Sequence, residues 1–489
     1  MACVVCLALA ACSKSPKHTL SARAPCEGCN VILISMDTVR ADHLGAYGYE
    51  RDTSPNVDAF AADAVVFENA VSQSSWTLPA HGSMMTGLYP GRLDVTHYPA
   101  RRKLPEGVDM LAEQLKAAGY ATAGFTGGGF VSAHFGFDRG FDIYSSDGRR
   151  FEHNIDEVLA WLELNKDRRF FLFFHGYDAH RPYFSHAVDK KALELSDRSP
   201  VEKRGFCVRG NRQRPGPRTL EAIVRFYDAS IHMGDRYVGR LLDALREHGL
   251  MDESVVLVTS DHGEEFFEHG NCDHVRFLYR EIVNVPFILR VPGMKPARSR
   301  VPDVVPASIS VPRTLLDLVG VENAMPGVSL VPILDGASNL FGGVFSEADS
   351  VLGQLGSRGA TVAITGDRYK LISYLEEGSD EAYDLIRDPG ERSVLPESHD
   401  FYARRKTLQS WHAALVPLPK RGSALALRTP PPDEEPETEP TPAPRPPAVA
   451  ARPVDGAKDG EPTPTSTVGG GAEIPKEVQE QLRSLGYLE

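Results

Sequence analysis

Two stretches of this 489-residue chain set acidic side chains directly behind apolar runs. The first reads Val31-Ile32-Leu33-Ile34-Ser35-Met36-Asp37-Thr38-Val39-Arg40-Ala41-Asp42. The second reads Val255-Val256-Leu257-Val258-Thr259-Ser260-Asp261-His262-Gly263-Glu264-Glu265. Both runs have strand character, and in open α/β sheets ligands gather beyond the carboxyl ends of the strands. On such an edge Asp37, Asp261 and His262 can meet and offer oxygen and imidazole ligands to a divalent cation. Either stretch alone is ambiguous, because an Asp after a strand is often a helix cap. A third stretch, Ser74-Ser75-Trp76-Thr77-Leu78-Pro79-Ala80-His81-Gly82-Ser83-Met84-Met85-Thr86-Gly87, tips the balance toward a metal site.

These residues need a scaffold that brings strand ends together. Apolar strand runs at 30–35, 121–125, 170–174, 255–259 and 286–289 alternate with helical stretches. The clearest helix covers about 220–248, with Ile223, Tyr227, Ile231, Val238, Leu242 and Leu245 on one side and Gly249 as its stop. Strands apolar on both faces and separated by helices predict a largely parallel sheet in an α/β domain. Composition agrees: 42% hydrophobic and 24% charged residues exclude pervasive disorder and a disulfide miniprotein. The formal charge of −13 argues against nucleic-acid binding, which needs clustered Lys and Arg. No apolar run reaches the ~18 residues of a membrane span.

In their order along the chain these motifs resemble the sulfatase family of the alkaline phosphatase superfamily. The resemblance rests on Asp37-Thr38-Val39-Arg40-Ala41-Asp42-His43-Leu44-Gly45, the Thr77-x-Pro79-x-His81 block, Tyr227-Asp228-Ala229 and Asp261-His262-Gly263. Tyr383-Asp384-Leu385 and Leu482-Arg483-Ser484-Leu485-Gly486-Tyr487 continue it to the end of the chain. It implies an alkaline-phosphatase-like mixed sheet sandwiched by helices, with a smaller C-terminal antiparallel-sheet subdomain. Gly366-Asp367-Arg368-Tyr369-Lys370-Leu371 and Tyr383-Asp384-Leu385 read as strands of that subdomain.

Family members carry Cys or Ser where Thr77 stands and Arg where His81 stands, and the first residue becomes formylglycine. Threonine offers no route to that aldehyde, so the resemblance implies direct attack by the Thr77 hydroxyl, as in phosphodiesterases, phosphonate hydrolases and phosphoglycerol transferases of the superfamily. An alcohol becomes an effective nucleophile only when a base or a metal activates it. The implied ligand set is Asp37, Thr77, Asp261 and His262 around one divalent metal ion. Its imidazole favours Mn²⁺ or Zn²⁺, with Ca²⁺ left open. His180 matches the family's substrate-binding histidine, with His175 and Asp178 as second candidates. The basic position near Leu278-Tyr279 is shared between His274 and Arg276, while His269 can be a plain loop residue. One departure stands out: the family's Gly-Lys-Trp-His stretch is replaced by Gly124-Phe125-Thr126-Gly127-Gly128-Gly129-Phe130, so a cation is lost. Three glycines either leave room or backbone N–H groups for a ligand, or form a tight turn.

The ends of the chain are of another kind. Leu9-Ala10-Ala11-Cys12 fits a bacterial lipobox, with Cys12 as the lipidated residue of an exported protein, although the basic residues expected before such a segment are missing. In an oxidising compartment Cys26 and Cys29 suit a local disulfide, and the pairing of Cys207 and Cys272 stays open. Of 36 prolines, 12 fall between Pro430 and Pro464, which predicts an extended, disordered linker. Beyond it Ile474, Val478, Leu482 and Leu485 recur at helical spacing, with Pro475 in the first turn.

The expected organisation is a signal and tether over 1–29, a catalytic domain over 30–341, a subdomain over 342–420, a linker over 421–472 and a terminal helix over 473–489. The expected activity is hydrolysis of sulfate, phosphate or phosphonate esters. The substrate is a small anionic ester or a sulfated or phosphorylated glycan, with membrane contact only through the lipid anchor in the cell envelope. An envelope phosphoglycerol or phosphoethanolamine transferase and a catalytically inactive glycan-binding lipoprotein are the alternatives. The basic 199–218 segment is expected to be solvated rather than a lid. Oligomeric state is not legible.

Overall fold

The computed structural model describes residues 25–98, 102–195, 214–294, 296–350, 358–397, 399–415 and 474–484. Cys12, Cys207, Leu485, the 421–472 linker and most of the 199–218 segment lie outside them. Alternating apolar residues build the central sheet: Val31 and Leu33 face one core, Ile32 and Ile34 the other. That pattern fits a strand buried on both faces. Across the sheet the strands run Asn284–Val285, Val65–Val71, Phe287–Arg290, Ser254–Thr259, Asn30–Met36, Phe170–Gly176, Ala121–Phe125 and Ile143–Ser145, and Arg300–Pro306 also pairs with Val65–Val71. From Ser254–Thr259 to Ile143–Ser145 all pairings are parallel. Phe287–Arg290 runs against both of its neighbours, so Val65–Val71 again points the same way as the parallel centre. Five of the strands that end on this one edge lead into Asp37, the 72–76 loop, Thr126, Tyr177 and Ser260.

Helices cover both faces. Phe151–Asn165 and Pro217–Glu247 close one core, with Ile223, Tyr227, Ile231, Val238, Leu242 and Leu245 buried as the spacing predicts. Gly249 follows that helix in the left-handed conformation expected of a stop. Thr77–Thr86, Leu111–Ala117 and Val311–Val319 pack on the opposite face. A separate sheet of Val344–Ser350, Thr361–Thr365, Tyr369–Tyr374 and Ser379–Asp384 is antiparallel throughout, as expected, and adds His97–Tyr98 in parallel at its edge. Cys26 and Cys29 form the local disulfide. Among the described residues no helix is long and apolar enough to cross a membrane.

Among the described residues the terminal helix runs Lys476–Ser484, inside the expected 473–489, with Pro475 ahead of it lending its carbonyl to Gln479 N. Leu482 is fully buried, and Ile474 and Val478 pack against the same core. Strands Val65–Val71 and Arg300–Pro306 were not anticipated.

Candidate active site

Thr77 opens its helix, and its hydroxyl lies 3.4 Å from His262 Nε2. It also hydrogen-bonds the side chain of Asp37. The N-terminal end of a helix favours negative charge on that oxygen. His262 Nδ1 faces the carbonyl of Gly263 at 2.9 Å, and a carbonyl only accepts, so Nδ1 carries the proton. In the neutral ring Nε2 then presents its lone pair to Thr77 and, at 3.2 Å, to Asp261 Oδ2. Burial, outweighing the attraction of Asp261, pulls His262 down to about 4, so the ring is neutral near pH 7.

A lone pair against a carboxylate oxygen repels unless a cation lies between them. The carboxylates make the same point. Asp37 Oδ1 and Asp261 Oδ2 are buried with no hydrogen-bond partner, a costly arrangement for a polar atom. Burial and the neighbouring Asp261 hold Asp37 well above the usual carboxylate range. For Asp261 burial is outweighed by His262, His81 and His175, which keep it ionised. Asp37, Asp261 and His262 have ligand atoms close enough to share one ion. This donor set fits a divalent cation, and the Thr77 hydroxyl lies beside it.

The surroundings fix these groups. Gly127 N donates to His175 Nδ1 at 3.2 Å, so His175 Nε2–H is the donor to Asp37 Oδ2 at 3.3 Å. His175 thus orients Asp37, in the manner of groups that hold metal ligands in place. His81 has both nitrogens engaged: Nδ1 donates to Thr77 O at 3.0 Å, and Ser35 Oγ donates to Nε2 at 2.9 Å. Burial lowers its pKa. It therefore does not supply the positive charge of the arginine it replaces, and it holds the Thr77 turn instead. Thr38, between Asp37 and Val39, has φ of 60°, strained for a β-branched residue. Its N–H donates to Asp261 Oδ1 at 3.2 Å, and Tyr227 OH donates to its carbonyl at 2.7 Å. That explains the Tyr227-Asp228-Ala229 motif: the long helix clamps the Asp37 turn, and Asp228 accepts from His43 and Arg51 beside it.

Three imidazoles line the approach. The His274 ring lies 4.4 Å from His262 and 5.0 Å from His180, centre to centre. His274 Nδ1 faces Glu264 Oε1 at 3.1 Å. Burial opposes its charge, but Glu264 and Asp273 raise its pKa. His180 Nδ1 donates to Arg181 O at 2.6 Å, and burial together with His274 holds it neutral. Of these two candidates, His274 joins the imidazole cluster, while Arg276 pairs with Asp273 at 3.7 Å. Asp178 accepts from Phe151 N at the start of a helix, and His269 bridges Glu281 and the Glu391 carbonyl. The His274 loop is tied to the Thr77 loop through Val275 N to Ser75 O and Ser75 Oγ to Val275 O, at 2.8 and 2.7 Å. Val275 takes φ of 88° to make these bonds. Sequence reasoning did not single out Glu264, Ser35 or Thr38, whose roles come from contacts far apart in the chain.

Residues 29–321 match the sulfatase family, and residues 267–411 match the C-terminal region of N-sulphoglucosamine sulphohydrolase. A Δ4,5-hexuronate-2-O-sulfatase of Bacteroides thetaiotaomicron is 25% identical over 75% of this chain and 84% of its own. A choline-sulfatase of Rhizobium meliloti is 25% identical over 76% and 82%. Among solved structures, one holding its substrate D-glucosamine-2-N,6-O-disulfate superposes with a TM-score of 0.67 at 19% identity, over 79% of this chain and 97% of that one. A phosphonate monoester hydrolase of Agrobacterium radiobacter gives 0.64 at 21%, over 79% and 95%.

Proposed function

The chain belongs to the sulfatase family, and on that premise we propose that it hydrolyses sulfuric or phosphonate esters with Thr77 as nucleophile and one divalent cation as cofactor. The observation that carries this reading is the convergence of the Thr77 hydroxyl, the lone pair of His262 Nε2 and the unpartnered oxygens of Asp37 and Asp261. Thr77 Oγ attacks sulfur or phosphorus, the bond to the ester oxygen breaks, and water then cleaves the threonine ester. The proton acceptor within reach of the hydroxyl is the Asp37 carboxylate, since the one free lone pair of His262 is the one that would hold the cation. Asp37, Thr77, Asp261 and His262 would hold the cation, which when bound would supply positive charge that lowers the hydroxyl pKa. His274, whose charged form Glu264 and Asp273 favour against burial, would face the substrate oxygens, where negative charge grows as the bond breaks.

Sulfated saccharides are the substrate class we favour, because the relatives include a hexuronate sulfatase and a structural neighbour that binds a glucosamine disulfate. Mn²⁺ or Zn²⁺ suits the imidazole-containing ligand set. The test is turnover of an aryl sulfate, a phosphodiester and a phosphonate monoester side by side. Chelation should abolish activity, and Mn²⁺ or Zn²⁺ should restore it. A metal-loaded protein that turns over none of them contradicts the proposal and favours a binding protein.

A further inference from the structure

The glycine loop that removes a cation from the site also makes room for another. A Cβ on Gly127 would sit 2.4 Å from the Tyr177 ring and 2.8 Å from the Arg149 carbonyl, and one on Gly128 would meet the Ser146 carbonyl at 2.3 Å. Only glycine lets the 146–150 segment pack this closely, and that segment carries Arg149 to the site. Its backbone is fixed there, since Tyr177 N donates to Arg149 O at 3.0 Å.

The Arg149 guanidinium lies beside His180. Arg149 Nη2 donates to Arg181 O at 3.4 Å, and His180 Nδ1 donates to the same oxygen. Two donors on one carbonyl put the guanidinium next to the ring that contacts His274. Arg149 has no carboxylate within ion-pair distance among the described residues, and its Nε is buried without a partner. Arg40 and Arg181, also near the site, behave differently: Arg40 pairs with Asp42 and Glu268, and Arg181 with Asp273. Burial and the adjacent Arg150 lower the Arg149 pKa to about 10, which leaves it charged at neutral pH. A partly desolvated guanidinium with no counter-charge is costly unless an anion completes it.

We propose that Arg149 binds the anionic oxygens of the substrate's sulfate or phosphonate group, supplying from a neighbouring segment the cation that the glycine loop lacks. The planar fork of arginine suits two oxygens of a tetrahedral oxyanion. The inference rests on the hydrolase reading for the identity of its ligand, so the test uses anions that are not turned over. Calorimetry with inorganic sulfate and with inorganic phosphate, at fixed ionic strength, is run on the Mn²⁺-supplied protein and on Arg149→Ala, Arg149→Met and Arg149→Lys. Loss of a charge-assisted pair should weaken binding of at least one anion about tenfold or more in the Ala and Met variants, with Lys in between. Met keeps the apolar stem and serves if the Ala variant does not fold. Binding weakened less than about threefold in every folded variant lacking the charge, or no binding of either anion to the unaltered protein, overturns the assignment. A protein that binds sulfate through Arg149 yet hydrolyses no ester would leave this inference standing while the catalytic proposal fails.

Discussion

Of the site histidines, His274 has the surroundings that favour a charged ring. Burial keeps His81, His175, His180 and His262 neutral, but Glu264 and Asp273 reverse the sign at His274. Its raised pKa means the charged form persists to higher pH and is lost as pH rises through that value. If this charge supports turnover, Glu264→Gln should move the alkaline limb of kcat/KM to lower pH by about one unit. A limb that stays in place would remove His274 from the reaction. Asp37, Asp261 and His262 could be grouped from the sequence because each follows an apolar strand run, whereas Thr77 joined them through the family resemblance alone. Arg149 was not legible, because its path to the site depends on which backbone fits against Gly127. The positive φ of Thr38 and Val275 was equally hidden: each goes with partners far away in the chain.

The terminal helix shows what an element adds. Its stripe of Ile474, Val478 and Leu482 was readable from spacing, but not the surface it covers. In the fold it sits on the loop that orients Asp37. Gln481 Oε1 accepts from Gly129 N at 2.9 Å, and Gln481 Nε2 donates to Ser146 O at 3.1 Å. The Gly127 N–H in the same loop holds His175, which holds Asp37. A chain ending at Leu415 should lose about 2 kcal/mol from the missing burial of the Leu482 side chain alone and leave Gly129 N without its protein acceptor. Both Tm and turnover should fall, with Gln481→Ala showing a smaller drop in each. Unchanged values in the truncated chain would show that the helix is not needed to order the loop. The strand Val65–Val71 escaped notice for a physical reason: Glu68 and Asn69 break its apolar run, and both are only half-buried where Arg300–Pro306 flanks it.

At the scale of the molecule, alternation of strands and helices was enough to predict an α/β sheet, and the order of motifs was enough to predict the family. Composition explains part of the charge: residues 423–472 hold eight acidic and four basic side chains, so −4 of the −13 lies outside the catalytic body. What the sequence left open is how far one threonine changes the family's chemistry. Every part of the account meets at the Thr77 hydroxyl, between His262 and the two carboxylates at a helix start. The most direct measurement is turnover of an aryl sulfate and a phosphonate monoester by the metal-loaded protein, by Thr77→Ser and by Thr77→Ala, with Tm recorded for each. We expect Thr77→Ser to retain activity and Thr77→Ala to lose at least about a thousandfold in kcat with Tm little changed. A folded Thr77→Ala protein that hydrolyses either ester at the unaltered rate would contradict the nucleophile assignment.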